Sequence, residues 1–317
     1  MLEYDDLPDR PPPDHDSRLP LGEPFTLARA EKLGVSRDVL RRMVRDGLLR
    51  RVLPGVFIDS AATDDITMRA RALGLVLPDH AVATDRTAAW LHGVDVLAPG
   101  DHIVPPPLQF FVLPGSTRIR KKVGGGGERT LLPHEIELVQ GVPVTTPLRT
   151  ACDLGRLLKR DHAIGGLDGL LRLQRFTHDE LLSDVERFRG MRGVVQLRSL
   201  APLADARAES PGESVLRLRW IDAGLPACRP QVEVCDDYGF VRAYVDLGAE
   251  ELSLGAEYDG RDFHTSDAHR ARDRARRRWL AERGWTIRVF TKEDVFDRHP
   301  SVARVMWSAY RGLRHAS

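Results

Sequence analysis

VRAYVDLGAEELSLGAEYDGRDFH, running from Val241 to His264, is the stretch whose reading decides the fold. Its first arm alternates Val241, Ala243, Val245 and Leu247 with Arg242, Tyr244 and Asp246. Its second arm alternates Leu254, Ala256 and Tyr258 with Gly255, Glu257 and Asp259. A period of two is that of half-buried strands, so the sequence predicts two strands joined by a polar Glu250–Glu251 turn. Paired as a hairpin, they set Asp246 and Glu257 on one face and roughly opposite, because same-face residues recur every second position. Like charges facing each other across a sheet are destabilising, so a compensating group is expected, a metal ion being one candidate.

Upstream, ESPGESVLRLRWIDAGL (209–225) reads as a helix after the Ser-Pro-Gly break. Glu213 falls in its first turn, where the helix dipole favours a carboxylate. Val215, Leu216, Leu218 and Ile221 supply an apolar stripe, and QVEV beyond the Gly224-Leu225-Pro226 end reads as a strand. Downstream of the hairpin, Thr265 or Ser266 caps a predicted helix that Gly284 stops. Ala268, Ala271, Ala275 and Trp279 mark its expected inner face, and Arg270, Arg272, Arg274, Arg276, Arg277, Arg278 and Arg283 crowd the rest. WTIRVFT then alternates as a strand and Pro300 opens a last amphipathic helix, giving the order α, β, β, β, α, β, α. His269 and Asp262 read as surface residues.

That order, with Glu213 on the first helix and Asp246 and Glu257 on successive strands, resembles the PD-(D/E)xK nuclease architecture, and within it the very-short-patch-repair-like branch. The residues that carry the likeness are ESVLR, GLP, VDL, EYDG, His264, Asp273, Arg278, GW, FT and EDV, spread over Glu209 to Phe296. The resemblance implies a restriction-endonuclease-like α/β core hydrolysing phosphodiesters. Glu213, Asp246, Glu257, Asp259 and His264 would be its catalytic residues, with Glu213, Asp246 and Glu257 on a divalent metal. A metal there would lower the pKa of an attacking water and neutralise charge in the transition state. Hard oxygen ligands favour Mg2+ or Mn2+ over Zn2+. One departure stands out: where the motif has lysine this chain has Asp259, so the positive charge must come from elsewhere, Arg261, Arg274 or His264 being candidates. His264 also suits a general base, since imidazole titrates near neutrality. The arginines of the following helix, Arg270, Arg274 and Arg277 among them, would track a nucleic-acid backbone.

At the other end, FTLARAEKLG reads as a short helix closed by Gly34, and Ser36 caps a second one, SRDVLRRMVRDG, whose Val39, Leu40, Met43 and Val44 form an apolar face. Two helices joined by a short turn give a helix-turn-helix layout, and LLRRVLPGVFID adds two arms around Pro54–Gly55 that would be a wing. Arg37, Arg41, Arg42 and Arg45 project from the second helix and Arg50 and Arg51 from the wing, a set suited to a major groove and its phosphates. A solvated helix face explains the same arginines. The stretch GVSRDVLRRMVRDGLLRRVLPGVF with the later TDRTAAWLHGV resembles the N-terminal winged-helix domain of AbiEi-type antitoxins over about Phe25 to Val96, which implies a DNA-binding module.

Between these ends the sequence is plainer. Helices are predicted over Ile66–Leu77 and Thr84–His92, the latter capped by Thr84 or Asp85. His80 and His92 read as structural, and Asp101–His102 has no partner cluster. FFVLPG and IELVQGVPVTTP read as short strands, Gly124–Gly127 as a hairpin tip without a phosphate-loop ending, and Thr146-Pro147 as the start of further helices. Asp153 and Asp161 read as surface or capping acids. The expected division is a disordered Pro-rich tail (1–18), a winged-helix DNA-binding domain (19–100), an α/β connector (101–205) and an endonuclease-like domain (206–317), an α+β multidomain protein overall.

Composition excludes more than it selects. A net charge of +1 over 317 residues gives no general pull toward nucleic acid or membrane, so anion binding must rest on local clusters. Of 47 basic residues only five are lysine, leaving 42 arginines, so arginine clusters by themselves carry little weight. Three cysteines at 152, 228 and 235, without CxxC spacing, read as buried free thiols of a cytoplasmic protein. No apolar run approaches the ~20 residues of a membrane span. Two functions follow as expectations: a metal-dependent endonuclease brought to double-stranded DNA by its N-terminal domain, or a non-catalytic DNA-binding regulator or antitoxin paired with a toxin or defence-system protein.

Overall fold

The computed structural model describes residues 18–20, 22–96, 107–115, 127–260, 267–297 and 300–316, without the side chains of 267–270 and 315–316. The expected tail, Asp101–His102, most of the glycine run, the 265–266 cap, Arg261, Asp262 and His264 lie outside the described residues. The chain divides into two units, Met1–Gly93 with Leu97–Thr146, and Val94–Val96 with Pro147–Ser317.

The first unit opens with β1 (Phe25–Thr26), α1 (Leu27–Lys32), α2 (Arg37–Arg45), β2 (Leu49–Leu53) and β3 (Val56–Asp59). Both helices start where a hydroxyl can take an orphan N–H: Thr26 accepts from Arg29 and Ser36 from Val39. On α2, Leu40 and Met43 are buried while Val39 and Val44 line the rim. Gly55, at φ +78, makes the turn between β2 and β3, and the antiparallel order is β1-β3-β2. Next come α3 (Ile66–Gly74), β4 (Ala81–Ala83), α4 (Asp85–Leu91), β5 (Phe110–Val112), β6 (Ile136–Val139) and β7 (Val142–Thr145). Their sheet has the order β5-β4-β7-β6, with β4 parallel to β7. Residues 81–83, placed by the sequence in the first domain but not read as a strand, therefore pair with strands from the expected connector. His92 is structural, its Nε2 lying 2.8 Å from the Thr145 carbonyl oxygen.

The second unit contains α5 (Pro147–Leu157), α6 (Arg160–Arg172), α7 (His178–Val185), α8 (Val194–Leu200) and α9 (Pro211–Asp222), then β8 (Arg229–Cys235), β9 (Val241–Ala249), β10 (Leu254–Asp259), α10 (Asp267–Glu282), β11 (Thr286–Thr291), α11 (Lys292–Phe296) and α12 (Val302–Ala316). The expected connector is thus divided at Thr146, its helices packing with the C-terminal elements. The sheet order is β11-β10-β9-β8; β10 and β11 are parallel and joined through α10, as a parallel pair requires a crossover. The predicted α, β, β, β, α, β, α order is found, with the short α11 added before the last helix.

Three expectations need correction here. Instead of one apolar stripe, α9 is buried nearly all round, Trp220, Val215 and Leu216 at 0% exposure and even Arg217 at 4%. Arg217 is tolerated because Asp168, itself fully buried on α6, pairs with it at 2.5 Å. Asp153 is not a surface acid: it is fully buried between Arg149 (2.8 Å) and Arg156 (2.5 Å), whose guanidiniums lie over the Phe188 ring. Asp161 does lie in the first turn of α6 and also pairs with Arg219. Of the cysteines only Cys152 is buried, while Cys235 faces solvent from the end of β8.

Candidate functional site

The hairpin forms as its pattern predicts. Leu254 pairs with Ala249, Gly255 with Gly248 and Ala256 with Leu247, and the paired register ends there, one step before Glu257 and Asp246. On the other side of β9, Pro230 pairs with Leu247 and Val232 with Val245, which puts Gln231 opposite Asp246. Gln231, Asp246 and Glu257 thus lie on three adjacent strands, β8, β9 and β10. Gln231 sits at φ +51, a left-handed conformation that costs a residue with a Cβ about 1–2 kcal/mol. Its amide donates to Glu213 Oε2 at 3.0 Å, tying the start of α9 to β8.

A close contact that only glycine permits fixes α9 here. A Cβ on Gly212 would fall 2.0 Å from the Tyr258 ring, so the ring of β10 lies against the helix backbone beside Glu213. Glu213 closes its own helix start: Oε2 accepts from the Glu209 N–H and Oε1 from the Ser210 hydroxyl, while Ser210 Oγ accepts from the Glu213 N–H. Asp246 accepts from the Tyr258 N–H at 2.9 Å. Burial pushes its carboxyl up to about 7, with repulsion from Glu213 and Glu257 adding to the rise and the Tyr258 N–H and Arg276 opposing it. That repulsion places all three acids in one neighbourhood.

The donor set is chemically suited to a hard divalent cation, but its arrangement is not. Among the described residues no group of three His, Cys, Asp or Glu side chains is placed to hold a metal ion. Glu213 spends both oxygens on its helix start and Gln231, and Glu257, 4% exposed, faces Arg276 Nη1 at 2.7 Å and Arg277 Nε at 3.6 Å. Asp259, expected to join the site, ends β10 in a half-buried position and contributes to raising the Tyr258 hydroxyl pKa. The residues missed in the sequence are Gln231, Ser210 and Arg276. Ser210 was legible as a cap three residues before Glu213; nothing in the pattern marked the other two.

The arginines divide by their surroundings. On α2, Arg37, Arg41, Arg42 and Arg45 are all exposed, two of them in exposed pairs, Arg41 with Asp38 and Arg45 with Asp46. Arg50 and Arg51, expected over phosphates, are half-buried and turn back onto the unit, Arg50 donating to the Ala62 carbonyl and Arg51 lying over Phe57. On α10, Arg274 is exposed, Arg277 is turned to Glu257, and the Arg270 side chain lies outside the described residues. The expected inner face of that helix is found in part: Trp279 packs against the core, but Ala271 and Ala275 are exposed, and Leu280, fully buried, packs with Val232 and Val245. The larger side chain sets the helix phase because it buries more apolar surface.

Residues 81–203 match the domain family described as the AbiEi antitoxin C-terminal domain. TDRTAAWLHGV, taken from the sequence as part of an N-terminal winged helix, therefore falls within this C-terminal-type domain, as does most of the expected connector. Two relatives from Mycobacterium tuberculosis, "Uncharacterized protein Rv2248" of strain H37Rv and "Uncharacterized protein MT2308" of strain CDC 1551, are each 35% identical over 266 residues, spanning 82% of this chain and 92% of theirs.

Proposed function

The chain belongs to one family with these mycobacterial proteins, and from that premise we propose that it is a DNA-binding regulator of antitoxin type, with a cognate toxin as its protein partner. The observation that carries the reading is the AbiEi antitoxin domain over residues 81–203. Ahead of it, β1, α1, α2 and the β2–β3 hairpin are read as a winged helix, with α2 presented to the major groove. Four exposed arginines on one short helix supply phosphate contacts that a net charge of +1 does not. The test is binding to the DNA upstream of the chain's own gene, measured by fluorescence anisotropy across a salt series. Arg41→Ala with Arg42→Ala should weaken binding and flatten the slope of log affinity against log salt by about 2, one for each lost phosphate contact. Unchanged affinity in the double variant would remove α2 from the interface.

A second reading, a Mg2+- or Mn2+-dependent nuclease domain at the C-terminus, is favoured by the convergence of Glu213, Asp246 and Glu257. Against it stand the arginines on Glu257 and the aspartate in the lysine position. Supercoiled plasmid incubated with Mg2+ or Mn2+ decides: nicking lost in Asp246→Ala and Glu257→Ala supports this reading, and an intact plasmid with wild type sinks it.

A further inference from the structure

The turn between β8 and β9 points large apolar side chains into solvent. Tyr238, Phe240, Val241 and Tyr244 are all exposed, Tyr238 at 86%, Phe240 at 69% and Tyr244 at 50%. The turn that carries the first two is braced. Asp236 Oδ1 accepts from the N–H groups of Tyr238 and Phe240, each at 3.0 Å, and the Asp236 N–H donates to the Phe240 carbonyl at 2.8 Å. Gly239, at φ +84, supplies the left-handed residue within it. Val234 and Ala243 pair just inside the turn and are buried, which holds both arms to the core. The rings are therefore presented in a fixed arrangement, and that lowers the entropy lost when they dock.

Charge and area select what they meet. From residue 233 to 244 the hairpin carries Glu233, Asp236 and Asp237 against Arg242 alone, a balance that repels phosphates and so disfavours a nucleic-acid backbone or an anionic lipid surface. Arg283 of α10 adds a second cation, 3.4 Å from Asp237, and Arg242 lies 3.6 Å from Asp236 with its side chain mostly exposed. An aromatic centre rimmed by charged groups is the make-up of a protein interface. A rim holding both signs is also complementary to itself, which is what a two-fold contact between identical chains requires. Arg242 of one copy can then lie over an exposed ring of the other, cation against π face. At about 200 Å² for each aromatic side chain, the three rings offer about 400 Å² per copy.

We propose that the β8–β9 turn is the contact through which two copies of this chain pair, with Tyr238 and Phe240 at its centre and Arg242 at its rim. The rings of two copies supply about 800 Å² and the rim the remainder of a contact near ~1,200 Å², the lower end of standard interfaces, so the pair is reversible and forms in the micromolar range. This goes beyond the regulator reading and does not rest on it. Where that reading holds, a dimer carries two copies of α2, the arrangement with which helix-turn-helix proteins read paired half-sites.

The experiment is analytical ultracentrifugation of the full chain, without DNA, over roughly 1–100 μM, the range in which small interfaces dissociate. Wild type should move from the mass of one chain toward that of two as its concentration rises. Tyr238→Ser with Phe240→Ser should raise the dissociation constant about tenfold or more, as the loss of central aromatic anchors does, and Arg242→Ala should raise it by a smaller factor. Val195→Ser, at a comparably exposed apolar side chain on α8, should leave it unchanged. These side chains are exposed, so the urea midpoints of the variants should match wild type, which separates a lost contact from a lost fold. A chain that is monomeric throughout overturns the proposal, as does association that survives the double variant or falls equally in Val195→Ser. A monomeric chain whose DNA affinity falls in the double variant would assign the rings to base stacking and overturn it as well.

Discussion

Replacing Asp246 by asparagine should stabilise the chain, and by more at pH 8 than at pH 5. The carboxyl has an ordinary pKa of 3.8 and is held up to about 7 in the fold, chiefly by burial. An acid whose folded pKa is raised lends stability that is fully present below its unfolded pKa and lost as pH rises through the folded one. The window here runs from about 3.8 to about 7. Across it the loss is about 4 kcal/mol, from roughly 1.4 kcal/mol for each pH interval between the two values. At pH 5 about 1.5 kcal/mol of this is already gone, since the unfolded carboxyl is ionised while the folded one is not; at pH 8 nearly all of it is. Asparagine keeps an oxygen for the Tyr258 N–H and never ionises, so its gain should grow by about 2–3 kcal/mol from pH 5 to pH 8. Urea unfolding followed by tryptophan fluorescence at the two pH values reads this as a midpoint shift with an unchanged slope. Trp220, fully buried in α9, reports the affected unit. An equal gain at both pH values, or a loss at pH 8, would refute the reasoning, the latter being what a carboxylate stabilised by Arg276 would give.

Asp168→Ala should cost about 3–5 kcal/mol, because it strands Arg217 inside the second unit; a loss below 1 kcal/mol in urea would mean that Arg217 finds water. Gly212→Ala should cost roughly 1–3 kcal/mol, the overpacking range, by forcing the Tyr258 ring off α9; a wild-type melting curve would show that the contact is slack. Ser36→Ala removes the cap of α2 and should destabilise the first unit by about 1 kcal/mol, readable in the urea midpoint; no change would mean that water caps the helix as well.

The hairpin and α2 were legible because their signals are local: a period of two over nine residues, and a serine three residues before the first residue of an apolar helical face. What was not legible depended on partners distant in sequence. Asp153 and its two arginines sit at helical spacing, yet their burial depends on Phe188, which arrives from beyond α7. The strand at 81–83 is too short to announce itself, and its parallel partner at 142–145 lies some sixty residues further on, inside the expected connector. In α10 the apolar residues are too few to mark a phase, and alanine is a weak marker beside one leucine. Gln231 acts through a backbone conformation that its side chain does not advertise.

The same arithmetic sorts the arginines that a sequence can only count. Exposed pairs such as Arg41–Asp38 are worth about 0–1 kcal/mol, so exchanging the aspartate for a phosphate costs α2 almost nothing. Arg276 and Arg277 face a buried carboxylate, and uncovering one such charge costs about 3–5 kcal/mol unless another cation replaces them. A phosphate cannot take that place, having the same sign as Glu257. On the reading that α2 meets DNA, its arginines give up little on turning to a phosphate, whereas Arg276 and Arg277 would leave a buried carboxylate uncovered. The two sets are separable by experiment: DNA affinity should fall with Arg41→Ala and survive Arg276→Ala, and equal losses in both would refute the division.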